Sequence, residues 1–83
     1  MVVKYDDVIN MLDQIQTDAK LQGIREVQVN SGIIHRKLGG YPGSNHRMPI
    51  ICNAMRNHMR KTDEIITSPP KGQGASLTIL YHL

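Results

Sequence analysis

The spacing of apolar residues changes along this chain, and the change limits which elements its 83 residues can form. Apolar side chains first fall at Tyr5, Val8, Ile9, Leu12, Ile15 and Ala19, the three-and-four spacing of an amphipathic helix. After Asp63 the period becomes two, with Leu77, Ile79, Tyr81 and Leu83 alternating against Ser76, Thr78, Leu80 and His82. A chain that opens on a helix and closes on strands belongs to the mixed α+β class.

The punctuation between these ends supplies the remaining elements. Asp6 and Asp7 sit where a helix dipole favours anions, and Gly23 offers a left-handed stop, so the first helix is expected over 5–22. Residues 24–29 are short and rich in β-branched side chains, which predicts a strand. Asn30-Ser31 is a good N-cap pair for a second helix over 31–38, closed by Gly39-Gly40. The loop from Gly39 to Asn45 holds three glycines and Pro42 and cannot be helical throughout. A third helix is expected over 46–61, with Pro49 in its first turn, where a missing N–H costs nothing. Ile65 and Ile66, the turn-rich run from Pro69 to Gly74 and the alternating tail predict a terminal hairpin over 64–83.

A chain of this length is expected to form one domain, 1–83, burying roughly 60–65% of its unfolded surface. Its 40% hydrophobic and 20% charged residues place it with globular chains. Aromatics are limited to Tyr5, Tyr41 and Tyr81, and Met1, Met11, Met48, Met55 and Met59 are expected to fill space that aromatics otherwise would. The one cysteine, Cys52, has no internal disulfide partner and lies within an apolar helical pattern, which suits a buried thiol and a reducing cytoplasm. No apolar run approaches the ~18 residues needed to span a bilayer, and Asp6 and Asp7 interrupt any signal-like segment. A soluble, cytoplasmic protein with no membrane partner is expected.

Charge is segregated. Between Glu26 and Asp63 no acidic residue occurs, while Arg36, Lys37, Arg47, Arg56, Arg60 and Lys61 all do, along with His35, His46 and His58. The whole chain carries only +3, and Asp6, Asp7, Asp13 and Asp18 lie in the first helix. An acid-free basic middle points to a polyanionic partner, of which nucleic acid is the commonest.

The third helix concentrates this chemistry. At about 100° per residue, Ile51, Cys52, Ala54, Met55 and Met59 share one side, and Asn53, Arg56, Asn57, Arg60 and Lys61 form the opposite arc. Arginine can contact guanine and asparagine adenine in a bidentate way in the major groove, while flanking cations neutralise phosphates. Ser44, Asn45, His46 and Arg47 add polar donors and a cation at the helix start, suited to phosphate. Arg56 and Arg60 are four apart, a like-charge pair that a helix tolerates better when a partner neutralises it.

Other chemistries fit less well. Cys52 and His58 are six apart, and no Cys-x-x-Cys or His-x-x-x-His pair exists, so no metal site or cofactor is expected and the histidines are placed at the surface or against phosphate. Asn45-His46-Arg47 resembles a fragment of nuclease motifs but lacks the carboxylates a metal-dependent nuclease requires. Cys52 on a packed face does not suit a nucleophile, and an enzyme is not expected. Tyr5 and Tyr81 lie on apolar faces and are expected in the core, and Tyr41, between Gly40 and Pro42, is open to closing over the core or standing beside DNA, so three tyrosines make a poor platform for stacking RNA bases.

The order helix-strand-helix-helix-strand-strand over residues 5–83, with a basic third helix, resembles the winged helix-turn-helix superfamily. The Gly/Pro loop between the second and third helices is longer than in many members. The resemblance implies a third helix that enters the major groove of duplex DNA and a last hairpin, the wing, that lies along the backbone or minor groove. On this sequence it assigns Lys71-Gly72-Gln73-Gly74 to the wing tip, with Lys71 and Gln73 reaching phosphate or a groove edge. Asn53, Arg56, Asn57 and Arg60 would then face bases, and Ser44, Asn45, His46, Arg47, Lys61 and Lys71 the backbone. The function expected is DNA binding without turnover, in a small transcriptional regulator or the DNA-binding component of a mobile-element or defence system, with pairing into a homodimer as a way to gain affinity. The alternative is a protein-interaction module that docks an acidic partner.

Overall fold

The Asp7 carboxylate accepts the Lys4 backbone N–H at 3.0 Å and so fixes the start of helix α1 (Tyr5–Leu21). These features come from a computed structural model, which describes residues 4–39, 48–70 and 74–83. At the far end Gly23 takes φ 78°, its N–H bonds the Lys20 carbonyl, and the Ile24 N–H returns to the Ala19 carbonyl at 2.9 Å. This double closure satisfies carbonyls that a helix end leaves open. It also commits Ile24 to the cap, so strand β1 spans Glu26–Asn30 and starts two residues later than the expected position 24.

Helix α2 (Ser31–Leu38) follows β1 directly and has the expected bounds. The Asn30 side chain accepts the Ile33 N–H at 3.1 Å and donates to Thr78 Oγ1, tying the helix start to the sheet. Ser31 and Gly32 donate their backbone N–H groups to Leu77 and Ala75, so the chain before the last strand is docked on the first turn of α2. A Cβ at Gly32 would stand 3.0 Å from the Ala75 carbonyl oxygen, a tight contact, so this close approach favours glycine.

Helix α3 (Met48–Asn57) and strands β2 (Glu64–Thr67) and β3 (Thr78–His82) complete the order helix-strand-helix-helix-strand-strand. β3 lies in the middle of an antiparallel sheet ordered β1-β3-β2. Val29 pairs with Ile79 and Val27 with Tyr81 on one side, and Ile65 pairs with Ile79 on the other. Val8 and Leu12 of α1, Ile34 of α2, and Met48, Ile51, Cys52, Ala54 and Met55 of α3 pack with Val29, Leu77, Ile79 and Tyr81 into one buried cluster. The two buried methionines fill the space expected of them, with Met11 and Met59 packed at the margin. Among the described residues the result is a small α+β fold with three helices and a three-stranded antiparallel sheet, an arrangement compatible with a winged helix.

β2 is an edge strand, and all four of its residues are exposed. Its register shifts between Ile65 and Thr67, and Pro69 follows two residues after its end. Both features shorten the edge available for pairing with another chain.

Candidate nucleic-acid interface

The split between the two sides of α3 follows its sequence. Met48, Ile51, Cys52, Ala54 and Met55 are buried, Pro49, Asn53 and Asn57 are exposed, and Ile50 and Arg56 lie between. Asn53 is followed by Arg56 at i+3 and Asn57 at i+4, so the three side chains share one strip. No carboxylate interrupts this strip, and the Asn53 and Arg56 side chains make no hydrogen bond or ion pair with another described residue.

The C-terminal limit of α3 corrects the expected span of 46–61. The helix ends at Asn57, because the Met59 N–H bonds the Arg56 carbonyl in a tightened turn and the Arg60 N–H goes instead to Asp63 Oδ2 at 2.8 Å. Arg60 and Lys61 therefore lie outside the helix. The i, i+4 pairing of Arg56 with Arg60 does not form, so the expected like-charge repulsion along the helix is absent. The Arg60 guanidinium donates to the His82 carbonyl oxygen and lies 3.9 Å from Asp63. Lys61 is exposed just past the helix end.

Asp63 organises this corner and carried no sequence-based assignment. Its buried carboxylate accepts the Arg60 N–H with one oxygen and the His82 N–H, at 2.7 Å, with the other. It thereby joins the exit from α3 to the end of β3. Beside it, the Tyr81 hydroxyl donates to the Met55 carbonyl at 2.7 Å. Burial pushes the Tyr81 phenol well above its ordinary range, and the Asp63 carboxylate adds to the effect.

The histidines and tyrosines depart from expectation in instructive ways. His35 is fully buried, with Nδ1 3.0 Å from the Gly39 carbonyl oxygen, and is not a surface group. His58, just past α3, lies 3.4 Å from Asp13 of α1 and edge-on to the Tyr81 ring of β3, so an acid from the first helix meets a group from the acid-free stretch. Tyr81 is in the core as expected, but Tyr5 is 40% exposed. The Tyr5 ring belongs to the first turn of α1, beside the end of α3, where its hydroxyl receives the Asn57 carboxamide at 3.1 Å. Cys52 is buried, with Sγ between the N–H and carbonyl of Gly74.

Ser44, Asn45, His46, Arg47, Lys71, Gln73 and Tyr41 lie outside the described residues, as do the start expected for the third helix at 46 and most of the expected wing tip. Among the described residues, no three His, Cys, Asp or Glu side chains come together as a metal site, and no helix is long and apolar enough to cross a membrane. Comparison with protein-family models, curated proteins and solved structures gave no match to this chain. What the site can do rests on its own geometry.

Proposed function

We propose that this chain binds duplex DNA as a winged helix-turn-helix domain, with the outer strip of α3 as the surface that meets the major groove. The observation that carries the reading is the strip itself: Asn53, Arg56 and Asn57 project from a helix whose reverse is buried, with no acid among them. Support comes from the element order and the sheet order β1-β3-β2, which place α3 third and leave β2 and β3 as the hairpin that a wing requires. Arg56 is suited to a guanine edge and Asn53 to adenine, while Lys61 is placed for phosphate. Ser44, Asn45, His46, Arg47, Lys71 and Gln73 are proposed backbone contacts on their chemistry and position in the sequence alone. Arg60 is set aside as a base reader because its guanidinium turns to Asp63 and His82. The mechanism is contact without turnover, in a small regulator or the DNA-binding part of a mobile-element or defence system.

The test is a chemical-shift map with a short duplex. Perturbations centred on Asn53, Arg56 and Asn57 are expected. Perturbations confined to the β2 edge, where Ile65 and Ile66 are about half exposed, would favour a protein-interaction module or self-pairing instead.

A further inference from the structure

Asn57 is the one member of the α3 strip whose side chain is held by another helix: its Nδ2 lies 3.1 Å from the Tyr5 hydroxyl across 52 positions of sequence. A carboxamide reads a base edge only when it stands within reach of both edge atoms, and an exposed asparagine samples several side-chain rotamers. The bond to Tyr5 restricts those rotamers. The Tyr5 ring is partly exposed and absent from the buried cluster, so the bond is not an incidental result of core packing. Among the described residues no partner takes the remaining Nδ2 hydrogen or the Oδ1 lone pairs, the donor–acceptor pair that an adenine N7 and N6 amine would meet.

We infer that Tyr5 is a specificity-positioning residue, its hydroxyl holding the Asn57 side chain in the rotamer from which the carboxamide meets a base edge. The inference rests on the proposed DNA-binding reading. It makes α1 a support of the reading surface and predicts that preference for one base pair depends on a hydroxyl outside α3. Tyr5 need not touch the base, and its removal leaves the charge of the surface unchanged.

The experiment selects a preferred duplex from a randomised pool with the unaltered protein. Affinities of wild type, Tyr5→Phe, Asn57→Ala and the double variant are then measured for that duplex and for single-base-pair substitutions in it. Tyr5→Phe is expected to reduce discrimination at one base pair by roughly three- to tenfold, the scale of one hydrogen bond, while binding to random duplex stays unchanged. Asn57→Ala should lose discrimination at the same base pair, and the double variant should lose no more than Asn57→Ala alone. Full discrimination in Tyr5→Phe, loss at a different base pair, or a wild type without sequence preference would overturn the inference and leave DNA binding standing. Failure of the wild type to bind any duplex would remove the DNA-binding reading itself. A purely structural role for Tyr5 would lower affinity for all duplexes alike, and that result would also count against the positioning role.

Discussion

The hydroxyl of Tyr81 in β3 donates to the carbonyl oxygen of Met55 in the last turn of α3 at 2.7 Å. The helical partner for that carbonyl would be the Met59 N–H, which bonds Arg56 instead, so the phenol caps a group the helix leaves open. The sheet thus sets where the proposed reading helix stops.

Tyr81→Phe is expected to lower stability by about 1–3 kcal/mol, the cost of leaving a buried acceptor without its donor. The loss should depend on pH. The folded phenol titrates above the unfolded one, so the contribution from Tyr81 is complete below about pH 10 and declines as the unfolded phenol ionises above it. Urea midpoints for both proteins between pH 7 and 11 should converge toward the alkaline end. A gap that stays constant with pH would contradict the assignment.

Asp63→Ala is expected to destabilise by about 2–4 kcal/mol, because the Arg60 and His82 N–H groups both lose a charged acceptor. Asp63→Asn should cost less, since its carboxamide oxygen still accepts one bond. Denaturant unfolding checks the order, and equal stability of all three proteins would show that the clamp contributes nothing.

These two residues also mark where the sequence was legible and where it was not. The bounds of α2 follow from local chemistry, with Asn30 capping one end and Gly39, at φ 96°, closing the other. The buried side of α3 follows from its period, and Cys52 lies where that period places it. The end of α3 depends on Asp63, three residues beyond Arg60, and on Tyr81, more than twenty residues away in sequence, and no helical periodicity reports such partners. Two weak signals were present. Asp63 closes the acid-free stretch, and Asn57 and His58 are poor helix formers. The late start of β1 has a similar cause, because Ile24 is occupied in capping α1. Tyr5 has core-like spacing but lies at the end of its helix, where a periodic position no longer guarantees that something packs above it.

The Cys52 thiol should resist a water-soluble disulfide reagent in the folded protein and react at the rate of unfolding, since its side chain is inaccessible and packed against Gly74. Labelling with and without denaturant checks this. Immediate stoichiometric labelling of the native protein would mean that α3 does not bury this face.

Arg56 and Arg60 should respond differently to alanine, although the sequence alone gave them the same role. Arg60→Ala is expected to affect stability modestly, through the lost contacts to His82 and Asp63, and to leave base discrimination unchanged. Arg56→Ala should reduce DNA affinity by about 1–3 kcal/mol without changing the unfolding midpoint. Parallel thermal melts and binding curves separate the two effects.

The account depends most on the outer strip of α3, and fluorescence anisotropy of a labelled duplex, titrated at fixed salt with wild type and with an Asn53→Ala/Arg56→Ala variant, tests it most directly. Wild type should bind, and the variant should fold equally well yet bind at least about tenfold more weakly, with an acidic polypeptide of matched charge competing poorly against the duplex. Identical curves for the two proteins, or equal competition by the acidic polypeptide, would contradict it.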